Sequence, residues 1–351
     1  MKPDTLILLS PAFPVRQEDH WLPFQTSFVK TLNREFPGLK IIILAFHFPV
    51  VPRTTHQWNG NTVITFSGGM KGKLHSLLRW RKVWRTLQQI KKEHHIIGLF
   101  SLFCSESAFI GHYFARRYGL THRIWILGQD ARRENKQVRR IRPLAEELVA
   151  SSDFLAAEFN SSHGIQPAHR VPLGIFTDDF PPPAAKTIDL AGVGSLVPLK
   201  QYHLFLECVA LLRPAHPGLK AVIVGEGTER SNLEALIRQL GLEDQVQLAG
   251  ALPHPEVLQL LQQSRILLHP SAYEGFSMAN KEALYAGAHV ISFCRPMEAA
   301  ISHFHLAADV AEMAARASAL LADPHTDHSP VLYYSMKDTA TAILRLFGYP
   351  A

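Results

Sequence analysis

Short apolar runs alternate with longer amphipathic stretches along the whole chain. In the first half the runs are TLILLS, KIIILAF, HIIGLFSL and RIWILG. In the second they are DLAGVGS, KAVIVGEG, QVQLAG, ILLHPS and HVISFC. Continuous Ile, Val and Leu without polar alternation is the pattern of strands buried on both faces of a parallel sheet. The stretches between them, such as HLFLECVALLR and TERSNLEALIRQLG, carry apolar residues at helical spacing. Strand–helix alternation of this kind predicts an α/β protein with helices covering parallel sheets. The alternation occurs twice, separated near DDFPPPAAK. Pro181, Pro182 and Pro183 fix φ and lack an amide hydrogen, so they continue neither element and read as a stiff linker. The expected domains are residues 1–183 and 184–330. A last helix within 331–351 (DTATAILRLFG) is expected to pack back toward the first domain. Two Rossmann-like domains facing a cleft are the expected architecture, and ligands of such sheets sit beyond the carboxyl ends of the strands. Motifs just after strands therefore carry the chemistry.

Composition narrows this picture. The chain has 351 residues, more than one ordinary core holds, which favours two domains. With 47% hydrophobic and 19% charged residues it is not a disordered chain. No run approaches the roughly 18 apolar residues of a membrane helix. The start, MKPDTLILLSPAFPV, lacks a clear cleavage site and reads as a buried first strand. Cys104, Cys208 and Cys294 are widely spaced, so neither a disulfide framework nor a zinc site is expected, and a cytoplasmic location is the simplest. The net charge of +6 is uneven: residues 1–183 hold 24 Lys and Arg against 14 Asp and Glu, residues 184–351 hold 12 against 16. The basic half favours an anionic surface or substrate.

The densest chemistry lies in HPSAYEGFSMANKEALYAGAHVISF, from His269 to Phe293. A buried strand ends at ILLHP, a turn follows with Gly275 at its tight point, and SMANKEALYAG reads as a helix with Ser277 as N-cap and Gly287 as its stop. A helix start carries unpaired N–H groups and a partial positive charge, so it seats a diphosphate. Glu274 stands at the mouth of that seat. Glu282 stands about one and a half turns inside the helix, where it can accept hydrogen bonds from vicinal hydroxyls. The spacing suits a ligand with phosphate in the middle and hydroxylated rings at both ends. The alternative is a turn acid and a solvated helix acid. Upstream, GVGSLVPLK puts Lys200 in the loop after a strand, where an ammonium can meet the diphosphate. AVIVGEG is a further strand and turn, whose glycines let backbone approach a base or ribose. The third glycine of a dinucleotide fingerprint is missing.

Three ordered pieces, VGSLVPLK, AVIVGEGTERSNLEALIRQLGLEDQVQLAGALPHPEV and LLHPSAYEGFSMANKEALYAGAHVIS, resemble the donor-binding half of retaining, GT-B-fold glycosyltransferases of glycosyltransferase family 4. The last carries the family's Glu-x7-Glu motif. The resemblance covers about residues 190 to 293. It implies that Glu274 contacts hydroxyls of the donor sugar near the reacting carbon, that Glu282 holds the ribose, and that Lys200 neutralises the leaving diphosphate. Glu274 and Lys200 are thus the catalytic candidates. Backbone N–H groups around Ser277, Met278 and Ala279 are implied to hold phosphate, and Gly275 and Phe276 belong to the implied donor site beside them. Gly194, Ser195 and Gly225 complete the implied donor site, with Gly225 at the base pocket. No metal or other cofactor is implied, because lysine and helix starts take the role of a divalent ion. The family usually carries arginine where Ser195 stands, so one of two cations facing the diphosphate is missing.

The first half matches less. The loop SPAFPVRQEDHW lacks the glycine pair of many relatives, and no histidine follows RIWILG, where GQDARRENK places Gly128 and Asp130 instead. Asp130 and Glu106, both just after strands, are acceptor-side candidates. Their alternatives are a loop acid paired with Arg132 or Arg133 and a helix-capping carboxylate. In the segment Met70–His95, Leu77, Trp80, Trp84, Leu87 and Ile90 share a helical stripe among cations that begin at Lys73. Such a helix can rest on an anionic membrane, or its stripe can pack on the sheet. Arg132, Arg133, Lys136, Arg139, Arg140 and Arg142 form a second basic cluster suited to a phosphorylated acceptor. No nucleic-acid reader motif accompanies them. The 19 histidines, including HFH at 303–305 and HTDH at 325–328, lack metal spacing and read mostly as surface residues, with His269 the nearest to the motif.

Together these features point to transfer of a sugar from a nucleotide-diphosphate sugar to the hydroxyl of a carbohydrate or lipid-linked acceptor. Retention, and a place in cell-surface polysaccharide or lipopolysaccharide assembly, rest on the resemblance. A cytoplasmic enzyme, peripheral at the inner membrane face, is expected. The alternatives are a nucleotide-sugar epimerase, a phosphorylase, or an inactive relative that binds nucleotide sugar.

Overall fold

The computed structural model describes residues 2–16, 22–50, 53–66 and 73–350. The chain divides into two compact units, Met1–Gly174 with Met336–Ala351, and Ile175–Ser335.

The first unit is built on a sheet that has eight strands among the described residues: β1 (Asp4–Ala12), β2 (Lys40–Phe48), β3 (Thr55–Trp58), β4 (Asn61–Thr65), β5 (His95–Leu102), β6 (His122–Ile126), β7 (Leu148–Ala150) and β8 (His169–Arg170). Their order is β3-β4-β2-β1-β5-β6-β7-β8, and only β3 runs antiparallel to its neighbour. The apolar runs anticipated as strands are the central ones, and Leu6 to Leu9 are at most 1% exposed. Strands β3, β4, β7 and β8 are short or polar and carry no comparable signal.

The second unit holds a six-stranded parallel sheet: β9 (Ile188–Val193), β10 (Ala221–Val224), β11 (Val246–Gly250), β12 (Ser264–His269), β13 (His289–Ser292) and β14 (Phe304–Leu306). The order is β11-β10-β9-β12-β13-β14, with every pair parallel. Numbered within the unit this is 3-2-1-4-5-6, the doubly wound order whose direction reverses between its first and fourth strands. Its core lies on both faces, one around Phe205, Val209 and Leu268, the other around Leu267, Ala283 and Leu284.

The division falls at Gly174, ahead of the prolines rather than after them. Phe180 packs edge-on against Tyr285 at 4.7 Å, and Gln262 donates to the Pro181 carbonyl at 3.3 Å. The residues before the prolines thus belong to the second unit's core. Ile175 donates to the Tyr334 carbonyl, and Ile175 and Ser335 form a parallel bridge, so the chain enters and leaves this unit side by side. The helix Met336–Arg345 groups with the first unit. Its Thr339 hydroxyl donates to the Pro172 carbonyl and accepts from the Gly174 amide, and Lys337 pairs with Glu35 at 2.8 Å.

Candidate active site

The switch point of the second sheet lies between β9 and β12. The loops that follow these strands are the ones that carry Lys200 and Glu274. After β9 the backbone turns through Gly194 and closes a short 3-10 turn, Pro198–Lys200. The Ala272 amide donates to the Leu199 carbonyl at 3.0 Å, which ties the loop after β12 to the loop after β9. That bond brings Lys200 and Glu274 together from 74 positions apart, and Lys200 Nζ donates to Glu274 Oε2. His269 Nε2 lies 3.4 Å from the same oxygen, with its ring almost wholly buried. Burial opposes ionisation of Glu274, but His269 and Lys200 outweigh it and hold the carboxyl down to about 2. Glu274 is an anion at any physiological pH, and Lys200 stands beside it as a matched cation.

The helix Met278–Tyr285 follows directly, with Ser277 at its N-cap position. The Ser277 side chain makes no capping hydrogen bond. The backbone N–H groups of this first turn are the ones a helix leaves without an internal partner. Glu282 is 5% exposed and accepts from His254 Nε2 at 2.8 Å through Oε1. The Glu282 carboxylate raises His254 above the ordinary histidine range, against the opposing effect of burial. His254 was not singled out from the sequence. It begins the helix His254–Gln262, just after β11, and its contact with Glu282 spans 28 residues.

Several residues expected in the donor site also have packing roles. Phe276 is directed into the core, where its ring meets Tyr333 at 5.1 Å and Phe304 at 6.1 Å, so its side chain packs rather than binds. Gly225 serves a contact between loops. Its φ is +144°, and a Cβ there would lie 1.9 Å from the Gly194 carbonyl oxygen. Gly227 is similarly pressed on Leu196, where a Cβ would meet the carbonyl oxygen at 2.2 Å. The glycines of GEG thus let the loops after β9 and β10 close on each other. Ser195 is exposed on its loop and supplies no charge.

Lys281 is the residue the sequence concealed. It lies between the two motif glutamates, is 2% exposed, and its Nζ sits 5.0 Å from the centre of the Phe276 ring. Burial pushes it down to about 7, only partly offset by Glu282 and Glu274. In the unfolded chain the same lysine keeps its proton to about 10.5. Between these values the unfolded state binds more protons, so stability rises with pH across that window, and the burial penalty is fullest below pH 7. Lys281→Met is therefore expected to stabilise the protein at pH 6 by about 2–4 kcal/mol, with the gain shrinking toward pH 10. Urea unfolding at the two pH values measures this. Lower stability of the variant at pH 6 would show that the buried ammonium is a net anchor.

The acceptor-side candidates are occupied by structure. Glu106 accepts from Arg79 Nε at 3.0 Å, from Arg79 Nη2 at 2.8 Å and from the Trp80 indole N–H, with His47 Nε2 3.3 Å away. Asp130 accepts backbone N–H groups of Cys104 at 2.9 Å, Gly128 at 2.8 Å and Leu127 at 3.2 Å. It bonds neither Arg132 nor Arg133 in these contacts; it pins two loops of the first sheet. In the segment Met70–His95, Met70 to Gly72 and the side chain of Lys73 lie outside the described residues, as do Gln17 to Trp21 of the first loop. Leu87 and Ile90 are buried, and Trp84 packs on Phe114 at 5.1 Å. The tryptophans of the stripe thus cover the sheet, while Leu77 and Leu78 remain 53% and 58% exposed. Arg133, Arg139 and Arg142 of the second basic cluster line a concavity of about 550 Å³ with Ser162 and His163. No helix among the described residues is long and apolar enough to cross a membrane.

Across its whole length the chain superposes on sucrose-phosphate synthase from Thermosynechococcus elongatus with a TM-score of 0.71 at 14% identity, covering 99% of this chain and 95% of that one. It superposes on Anabaena HepE, solved in complex with UDP and glucose, with a TM-score of 0.66 at 14% identity, covering 99% and 98%. The fold is GT-B. Within it, residues 177–328 match the model of the family described as Glycosyl transferases group 1. Among curated proteins, one component of the human phosphatidylinositol N-acetylglucosaminyltransferase is 34% identical over 125 residues, 35% of this chain and 26% of that protein. The chain spans roughly a quarter to two fifths of the curated relatives it matches first. Nearly all of the second GT-B unit therefore carries the group 1 pattern, and the first unit shares the fold alone.

Proposed function

We propose that the protein is a group 1 glycosyltransferase that moves a sugar from a nucleotide-diphosphate sugar to a hydroxyl acceptor with retention of configuration. The observation that carries this reading is the meeting of Lys200 and Glu274 at the switch point of the second sheet, at the mouth of the helix that bears Glu282. A diphosphate at the helix start would draw on its N–H groups and on Lys200. Glu282 would accept from a ribose hydroxyl through Oε2, since His254 meets Oε1. Glu274 would accept from hydroxyls of the donor sugar. Lysine and helix dipole supply the positive charge, and the scheme invokes no metal. Bound UDP and glucose in the Anabaena neighbour favour a nucleotide-sugar donor. The names of relatives such as the human N-acetylglucosaminyltransferase favour sugar transfer over epimerisation. A carbohydrate or lipid-linked acceptor of surface polysaccharide or lipopolysaccharide assembly suits the basic first unit. The exposed Leu77 and Leu78 beside Arg81 and Lys82 suit a cytoplasmic protein resting on an anionic membrane.

Calorimetric titration with UDP, GDP and ADP, with and without EDTA, tests the donor site. One nucleotide is expected to bind, to survive EDTA, and to lose about tenfold or more in affinity in Glu282→Ala. No binding to any of the three would reject the nucleotide-sugar reading. Flotation of the same preparation with anionic vesicles at low salt tests the membrane component.

A further inference from the structure

Three side chains meet inside the first unit, remote in sequence from every residue assigned to the donor. His112 belongs to the helix Glu106–Tyr118, His122 is the first residue of β6, and Glu147 directly precedes β7. Strands β6 and β7 are parallel neighbours, so His122 and Glu147 sit at their amino ends. Ligand loops of such sheets rise from the opposite, carboxyl edge.

His112 and His122 are 1% and 3% exposed. His112 Nδ1 lies 2.9 Å from Glu147 Oε1, and His122 Nδ1 lies 3.6 Å from the same oxygen. One ligand atom from each residue falls within 4.8 Å of the others. A separation of 3.6 Å is too long for a hydrogen bond, and His122 Nδ1 has no other partner. Its Nε2 is 2.8 Å from the Ser101 hydroxyl. When that nitrogen donates to Ser101, the lone pair of Nδ1 is turned toward an anionic oxygen. In that tautomer the contact is repulsive unless a cation lies between; in the other, Nδ1–H faces the carboxylate across 3.6 Å. Two imidazole nitrogens and a carboxylate oxygen bound to zinc at about 2.0–2.2 Å would be separated by about 3.3–3.5 Å in a tetrahedron. The observed 2.9 and 3.6 Å straddle that range. The outer contacts are also those of a metal site: Ser101 orients His122, and the Leu144 amide donates to Glu147 Oε2 at 2.8 Å.

We propose that His112, His122 and Glu147 bind a divalent transition ion of the zinc class that clamps one helix to the amino ends of two strands. The site is separate from sugar transfer and does not depend on that reading. The two imidazole ligands select zinc-like ions over magnesium.

The full chain, stripped with chelator, is titrated with cobalt(II) and then zinc(II). About one equivalent of cobalt should produce the visible d–d band of a four-coordinate ion, and zinc should displace it. Zinc should raise the melting temperature by about 4–8 °C, and magnesium should not. His122→Asn and Glu147→Gln should abolish both effects. His305→Asn should keep both. It probes the other histidine group, where His289 Nδ1 lies 3.0 Å from His305 Nε2. No cobalt band and no zinc shift in the wild type would overturn the proposal. So would a band that survives His122→Asn or disappears in His305→Asn. If neither triad variant folds, the wild type and His305→Asn still decide. A four-coordinate band in both supports the site, and its loss in either one rejects it.

Discussion

Lys200→Ala is expected to lower kcat/KM for sugar transfer by about 100- to 1,000-fold. The side chain leaves a short turn after β9 and meets Glu274, and in the proposed function it is the cation that faces the donor diphosphate. Negative charge on that diphosphate grows as the bond to the sugar breaks. A fixed ammonium therefore stabilises the transition state more than the bound donor. Most of the loss should fall on kcat. Ser195 sharpens the expectation, because no guanidinium on this loop shares the load. Lys200→Arg should restore part of the rate. Steady-state kinetics of the two variants, with nucleotide affinity measured alongside, separate the cases. A loss confined to KM would make Lys200 a binding residue only, and unchanged turnover would remove it from the site. Thermal unfolding should show some loss as well, because the two side chains are only 19% and 21% exposed and Glu274 is left with His269 as its remaining cationic partner.

Gly225→Ala is expected to destabilise the protein by about 2–5 kcal/mol and to lower its melting temperature by about 5–15 °C. Two effects combine. The backbone at Gly225 has φ of +144°, a region that L side chains rarely adopt. The added Cβ would also stand 1.9 Å from the Gly194 carbonyl oxygen, so the loops after β9 and β10 would have to separate. The Gly194 amide donates to the Val224 carbonyl and the Leu196 amide to the Glu226 carbonyl, and both bonds span these loops. Because Lys200 rides on the same loop, nucleotide affinity should fall as well. Gly218→Ala is the control, since a Cβ there meets nothing within 4 Å; its effect should stay within about 0.5 kcal/mol. Equal melting temperatures for the two variants would show that the loops part without penalty.

Residue type and local spacing determined a good deal. The central strands are readable because each is apolar on both faces, as burial under two layers of helices requires. Lys200, Glu274 and Glu282 are readable because they fall just after a strand or in the following helix, and in a doubly wound sheet that position is already near the ligand edge. Strands β7 and β14 are not readable, since three residues form a strand only when a neighbour already offers its hydrogen bonds. The acids at 106 and 130 show the same limit from the other side. Both follow strands as anticipated, yet Arg79, Trp80 and the Cys104 amide claim them from 26 or 27 residues away.

The histidines depart furthest from expectation. Most histidines read as surface residues, yet His112, His122 and His289 are buried, as is His269 beside the motif. Glu274 partners His269 from five positions on, whereas the partners of His112, His122 and His289 are Glu147, Ser101 and His305, each at least 16 positions away. An imidazole tolerates burial once such a partner satisfies it. What the sequence determined alone was therefore the α/β class, the twofold repeat of strand–helix alternation and the ligand edge of the second sheet. Those properties rest on periodicity and on the step from strand to loop, which are local. Only the tertiary structure decided which side chains the motif carboxylates meet, why Gly225 must be glycine, that Lys281 is buried, and that three distant side chains converge at the amino edge of the first sheet. Each depends on distances between residues far apart in the chain, and chain folding alone sets those distances.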